Sequence, residues 1–366
     1  MSGPLSGLRV VELGGIGPVP HAGMLLADLG GDVVEIVRPG SEHLGASGVL
    51  RRGKRSVALD LKEEGSAEVV RRLVATSNAL IEGFRPGVAE RLGVGPDACL
   101  EANPGLVYGR MTGWGQDGPL AHRAGHDIDY VAVSGVLAAI GPESQPLPPL
   151  NLVGDFGGGS MLLAVGVLAA LRHAEATGEG QVVDAAMVDG SALLMAMHHD
   201  GLASGWWFDR RGANLFDGSA PFYTTYETAD GEWVAVGALE PHFYARLLEG
   251  LDLEGEDLPA QMDRSGWPEL RSRMAEAFRH RSRSEWEAVF SGRDACVVGV
   301  YSMTEAPDHP HLRHRSTFVE VEGVSQPSPA PRMSATPPGP AAAVPRPGQH
   351  TEEILAELGL DPGRAL

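Results

Sequence analysis

Arg9-Val10-Val11-Glu12-Leu13 leads into the glycine- and proline-rich turn Gly14-Gly15-Ile16-Gly17-Pro18-Val19-Pro20, and a second apolar run, Asp32-Val33-Val34-Glu35-Ile36, follows. Both runs have the length and aliphatic character of buried strands. A helical pattern lies between them, around Ala22 to Leu29, closed by Gly30-Gly31. Strand, turn, helix, strand is the unit of a parallel sheet covered by helices, here Rossmann-like. The alternation continues with a helical pattern over Ala67 to Ala75 and strand-like runs at Ala79-Leu80-Ile81-Glu82, Leu106-Val107-Tyr108 and Gln181-Val182-Val183-Asp184-Ala185. In such sheets ligands bind beyond the carboxyl ends of the strands. The first turn begins like a dinucleotide fingerprint, with Glu35 standing where a ribose-binding acid belongs. The third glycine is missing, prolines fill the turn and Arg38 follows the acid, so a nicotinamide site is set aside.

The chain has 366 residues, enough for two or three domains, and is 43% hydrophobic and 21% charged. A formal charge of -19 argues against general nucleic-acid binding. Yet Arg38, Arg51, Arg52, Lys54, Arg55, Lys62, Arg71, Arg72, Arg85 and Arg91 fall in one stretch. That stretch is either a pocket for a small polyanion or a solvated charged face. Cys99 and Cys296 are the only cysteines, so they are expected to be packed thiols without a disulfide framework. No unbroken apolar run reaches the ~20 residues that span a bilayer. Met1-Ser2-Gly3-Pro4-Leu5-Ser6 runs into a strand without a basic, apolar leader. A cytoplasmic protein that contacts neither membrane nor nucleic acid is therefore expected.

Further along, Met161 to Ala174 is apolar nearly all round and is expected to be a buried helix. Met187 to Ala203 is also helical in pattern, and Trp206 to Ala220 reads as a polar connection. Phe222 to Thr228, Ala229-Asp230-Gly231 and Trp233 to Val236 predict a hairpin with an Asp-Gly turn. Helical segments near Phe243 to Leu248, Trp267 to Phe278 and Ser284 to Phe290 complete a smaller α+β domain. Residues 325–348 suit an extended strap, and Thr351 to Leu358 a last helix capped by Thr351.

Two stretches carry candidate chemistry: Gly125-His126-Asp127-Ile128-Asp129-Tyr130 and Gly154-Asp155-Phe156-Gly157-Gly158-Gly159-Ser160. Each sets a proton-transferring side chain beside glycine, where backbone can approach a ligand closely. Asp155 is expected at the entry of the Met161 helix, with Ser160 helping to cap it. Capping alone does not need three consecutive glycines, whereas close ligand approach does. His126 precedes a helical pattern through Val131 to Ala139, and Asp127 and Asp129 suit its start. An imidazole and a carboxyl group facing one carbon from opposite sides can take a proton from one face and return one to the other. Glu240, before Pro241, is either an exposed acid or a partner for His126. His198-His199-Asp200 places neighbouring ligand types on different sides of a helix, so a metal site is not expected.

Taken together, the chain resembles the family III CoA-transferase superfamily, and more particularly its bacterial α-methylacyl-CoA racemases. The resemblance is carried by Pro4 to Leu13, Ala27 to Val34, Gly53-Lys54-Arg55-Ser56, Leu59-Asp60-Leu61-Lys62, Glu82 to Gly87, Gly125-His126-Asp127-Ile128, Gly154 to Gly159 and Asp184 to Gly190. It implies the CaiB/BaiF-like fold, an interlocked homodimer whose active site lies between the large domain of one subunit and the small domain of the other. Residues 1–190 are then the large domain, completed by 330–366. Residues 191–221 are a linker, 222–310 the small α+β domain and 311–329 a return linker. Carried over residue by residue, Arg38, Leu59, Asp60, Leu61, Lys62, Gly83, Phe84, Arg85, Arg91, Gly125, Asp127, Ile128, Asp129 and Tyr130 match contacts to the CoA ester. His126 and Asp155 match the catalytic pair, and Glu240 the acid bonded to the histidine. Asp129 is a departure, because related racemases often carry Asn there.

The resemblance implies racemisation of 2-methylacyl-CoA thioesters by 1,1-proton transfer. His126 takes the α-proton of the (S)-ester, amides at Asp155 and the glycine turn hold the enolate oxygen, and a protonated Asp155 returns a proton to the opposite face. CoA belongs to the substrate, and no separate cofactor is needed. Met195 and Met197 suit either an adaptable acyl surface or plain core. Branched fatty acyl, bile-acid-like and arylpropionyl groups all fit. The rival is CoA transfer between carboxylic acids with Asp155 as nucleophile, and a third reading is a CoA-ester binding protein without catalysis.

Overall fold

Six parallel strands build the larger sheet: β1 (Arg9–Leu13), β2 (Asp32–Val37), β3 (Arg55–Ala58), β4 (Ala79–Glu82), β5 (Val107–Thr112) and β6 (Gln181–Ala186). Their order in this computed structural model is β3-β2-β1-β4-β5-β6, so the order reverses between β1 and β4. Residues 3–40 and 48–361 are described, and the leader reading at Met1-Ser2 falls outside them. The chain divides into two units. The first holds Met1–Ser134, Leu150–Met195 and Pro310–Leu366, and the second Gly135–Pro149 and Ala196–His309.

In the first unit, α1 (Pro18–Asp28), α2 (Ser66–Ala75), α3 (Val88–Arg91), α4 (Pro96–Ala102) and α5 (Asp127–Val133) alternate with the strands. Successive side chains of β1 point to opposite faces. Val10 joins Val33 and Ile81 under α1, while Val11 joins Val34 and Leu80 under α2 and α4. Both faces are covered, which is why these strands are apolar throughout. α1 begins at Pro18, before the expected Ala22, because a proline in the first helical turn loses no hydrogen bond there. β3 has no counterpart among the expected strands. It is the outer strand, and its exposed edge is covered by side chains from the C-terminal segment. The Ser56 N–H donates to His350 Nδ1 at 3.0 Å and the Ala58 N–H to Thr351 Oγ1 at 2.9 Å. Thr351 is therefore not the cap of its helix: His350 holds that position and Thr351 clamps the sheet edge.

Residues Leu152–Met161 form a π-helix that runs directly into an α-helix, Leu162–Thr177. Together they are long and apolar enough to cross a membrane by length and composition alone. Leu163, Val167, Ala170 and Leu171 are buried in the sheet core. The helix is not buried all round, however: Met161 and Val165 are 51% and 62% exposed. The expected helix over Met187 to Ala203 breaks at Met195, leaving Met187–Leu194 in the first unit.

In the second unit β7 (Tyr223–Glu227), β8 (Trp233–Gly237) and β9 (Val297–Gly299) form an antiparallel sheet. The hairpin turns at Asp230-Gly231, where Gly231 takes φ +77. Helices Pro241–Gly250, Trp267–Phe278 and Arg283–Phe290 pack Leu247, Trp267, Phe278 and Trp286 against Phe222, Tyr226 and Val234. The helix expected through Val131 to Ala139 stops at Ser134, because Gly135 adopts φ +87, and residues 135–149 join this unit.

Candidate active site

Two cavities open beyond the carboxyl ends of the parallel strands, on either side of the point where strand order reverses. One, of about 350 Å³, is lined by residues that follow β1 to β4: Gly14, Arg38, Leu59 to Lys62 and Phe84, with Val88 and Arg91 of α3 and Leu92 just after it. The other, of about 150 Å³, is lined by Gly15, Gly83 to Pro86, Gly113, Trp114, Arg123, Gly125 and Tyr130. Phe84 lines both. Its turn is anchored from below. Glu82 is fully buried, accepts the Phe84 N–H at 2.6 Å and pairs with Arg110 at 3.0 Å. Burial pushes the Glu82 carboxyl up to about 7, against the pull of Arg110.

The large cavity gathers Arg38, Leu59, Asp60, Leu61, Lys62, Phe84 and Arg91; the small one gathers Gly83, Phe84, Arg85, Gly125 and Tyr130. Much of the basic stretch is neutralised elsewhere. Lys54 is buried on Glu12 at 2.7 Å and Arg52 on Asp28 at 2.6 Å, and the half-buried Arg55 pairs with Asp32 at 2.6 Å. Arg51 pairs with Glu35, which is therefore no ribose acid, and Arg71 and Arg72 share Glu68. The Arg52 pair also ties the sheet to the strap, since Arg52 donates to Gln326 and to the Pro327 carbonyl. The cavity keeps Arg38, 68% exposed beside Asp60, together with Lys62 and Arg91.

His126 is exposed at the N-cap of α5, in extended backbone. Asp155 is half-buried within the π-helix and is not a cap. The two stretches meet directly: Asp127 Oδ1 accepts the Asp155 N–H at 2.8 Å. Burial raises the Asp155 carboxyl above its ordinary range and Asp127 adds to the rise, while Asn151 and the nearby His126 pull it down. Asp155 also faces the start of α1, where a Cβ at Gly17 would stand 3.6 Å from its Oδ2. Glu240 lies in the second unit, exposed at the N-cap of Pro241–Gly250. His198 packs edge-on against Trp207 at 4.6 Å.

Two expectations are corrected here. The glycines after Asp155 are filled by protein. A Cβ at Gly158 would meet the Ser191 N at 2.6 Å, one at Gly159 the Met187 Cγ at 2.9 Å, and one at Gly190 the Gly158 carbonyl O at 1.9 Å. They let the π-helix and the helix Met187–Leu194 touch backbone to backbone. Gly190→Ala is therefore expected to cost ~1–3 kcal/mol in urea unfolding by overpacking; an unchanged midpoint would contradict the contact. Second, the Asp155 amide is already bound to Asp127 and is not free for an enolate oxygen. The first amides of α5, at Asp127 and Ile128, are left without an intrahelical acceptor by the geometry of a helix start.

Trp114 and Arg123 of the small cavity have no counterpart among the expected site residues. The available signal was Thr112-Gly113-Trp114-Gly115, a glycine turn at a strand end. It is hidden when the strand is ended at Tyr108, since β5 continues to Thr112.

The order of the sheet and the cavities at its switch point define a parallel α/β protein with cavities where such sheets take their ligands. The chain belongs to CoA-transferase family III, whose family model matches residues 5–351. It is 48% identical over 358 residues to the mouse alpha-methylacyl-CoA racemase, covering 97% of this chain and 93% of that protein. Identity to the human alpha-methylacyl-CoA racemase is 46% over 359 residues, with the same coverage. A CaiB/BaiF family protein from Brucella suis has the same fold, with a TM-score of 0.85 at 25% identity over 98% of this chain and 100% of that one.

Proposed function

We propose that this protein racemises 2-methylacyl-CoA thioesters by moving a proton on and off the α-carbon. The observation that carries the proposal is the tie between the His126 and Asp155 segments, beside cavities at the sheet's switch point. Membership of the family and 48% identity to a racemase support it. The large cavity suits the nucleotide end of CoA: Leu59, Leu61, Val88 and Leu92 offer apolar walls, and Arg38, Lys62 and Arg91 meet phosphate charge.

Neutral His126 removes the α-proton of the (S)-ester, and the C–H electron pair moves onto the thioester oxygen as an enolate. Protonated Asp155 then delivers its proton to the opposite face, giving the (R)-ester, histidinium and aspartate. The reverse reaction starts from that last pair. The raised Asp155 carboxyl suits this exchange of roles, since a carboxyl in its ordinary range rarely carries a proton at neutral pH. Only protons move, so the step calls for no redox group or metal. The amides opening α5 are the donors for the enolate oxygen. A homodimer is part of the proposal, with the partner subunit's Glu240 holding His126. Its support is the apolar surface left by Leu152, Met161, Val165, Leu193 and Leu194, all more than half exposed.

Either enantiomer incubated in deuterium oxide, without an acceptor acid, is expected to lose optical purity and take up deuterium at the α-carbon. An α-carbon that stays unlabelled there, with CoA passing to a carboxylic acid once one is added, would instead establish transferase chemistry with Asp155 as nucleophile.

A further inference from the structure

The first turn of α5 makes three bonds that fix where His126 and Asp155 stand, one of which, from the His126 N–H to Asp129, is also the capping-box bond of the helix start. The Gly125–His126 peptide is held at both ends. Its carbonyl accepts from the Tyr130 hydroxyl at 2.5 Å, and its N–H donates to Asp129 Oδ2 at 2.9 Å. Asp127, only 8% exposed, points the other way and accepts the Asp155 N–H at 2.8 Å. The surroundings are cut to fit these bonds. A Cβ at Gly154 would stand 2.4 Å from Asp127 Oδ1, and Cβ atoms at Gly113 and Gly125 would meet the Tyr130 ring at 2.1 and 2.7 Å. Trp114 presses edge-on against that ring at 4.8 Å.

We infer that Asp127, Asp129 and Tyr130 are positioning residues: Asp127 sets the separation of imidazole and carboxyl, and Asp129 with Tyr130 clamps the peptide that presents His126. This rests on the reading of His126 and Asp155 as the proton-transfer pair. It differs from the role the family resemblance implies for the three residues, contact with the CoA ester. It also gives Asp129 a task, because its carboxylate accepts the amide N–H of His126. Positioning and ligand contact separate kinetically. A lost contact to CoA weakens binding and raises KM. A lost bond within the protein leaves binding intact and misplaces the reacting groups, and a displacement of ~1 Å costs about a hundredfold in rate.

The test compares racemisation of a 2-methylacyl-CoA by wild type, Asp127→Ala, Asp127→Asn and Tyr130→Phe, with titration of free CoA and thermal melting of each. Asp127→Ala is expected to lose about a hundredfold in kcat with KM and CoA affinity within about threefold. Asp127→Asn keeps an acceptor for the Asp155 N–H and should recover to within about tenfold of wild type. Tyr130→Phe keeps the packed ring and is expected to lose about tenfold in kcat alone, which guards against a misfolded Ala variant. A rise in KM with kcat intact, or Asp127→Asn as impaired as Asp127→Ala, overturns the inference. So does an Asp127→Ala enzyme that exchanges like wild type. A wild-type enzyme that binds CoA yet exchanges no α-proton overturns the proton-transfer reading itself.

Discussion

Asp155→Asn is expected to lower racemisation by a thousandfold or more while the protein still folds and binds CoA. The amide has nearly the volume of the carboxyl, can still accept from Asn151 and leaves the backbone N–H on Asp127, so the π-helix keeps its place. It carries no transferable proton, and general acid–base groups contribute about 10²–10⁴ in rate. The loss has a stereochemical signature. His126 remains, so the (S)-ester should still exchange its α-proton for deuterium, with the label returned to the same face and handedness retained. Chiral chromatography with mass spectrometry on one sample reads both quantities. An Asp155→Asn enzyme that inverts configuration at an appreciable fraction of the wild-type rate would remove Asp155 from the mechanism.

His126→Ala carries the mirror expectation. Exchange from the (S)-ester should fall by about 10²–10⁴-fold, while the (R)-ester still exchanges against Asp155 with its configuration retained. The side chain is exposed at a helix start, and the bonds that fix the turn use its backbone N–H and neighbouring side chains. The variant should therefore melt within a few degrees of wild type. This substitution separates the two chemistries open to the family. An aspartyl nucleophile in CoA transfer has no use for the imidazole, so near-normal turnover in His126→Ala would favour transfer. Exchange lost equally from both enantiomers, with folding intact, would contradict the division of labour between the two faces.

Much of the fold is legible along the chain because parallel strands buried on both faces must be continuously apolar. Val10, Val11, Val33, Val34, Leu80 and Ile81 announce themselves in that way. β3 does not: Arg55-Ser56-Val57-Ala58 lies at an edge, and its unpaired amides are met by His350 and Thr351, about 290 residues further on. The basic stretch misleads for a related reason. A count of charges along the chain is blind to acids brought alongside by folding, and Glu12, Asp28, Asp32, Glu35 and Glu68 neutralise most of it.

The candidate site divides in the same manner. His126, Asp155 and the residues following β2, β3 and β4 stand out in the sequence, because a proton-transferring group beside glycine and a polar turn after an apolar run are local patterns. The glycines after Asp155 are local too, but their partner is a helix thirty residues away, so their purpose, backbone contact with Gly190 and Ser191, shows only in three dimensions. Sequence by itself determined the parallel α/β framework and singled out His126 and Asp155 as the candidate proton-transfer pair. Tertiary structure alone decided which charges stay free for a ligand, where residues 135–149 belong, and that Asp127 joins the His126 turn to the Asp155 helix. The physical reason is range: apolar periodicity and turn chemistry act over a few residues, whereas ion pairing and backbone contact depend on which distant segments folding brings within hydrogen-bonding reach.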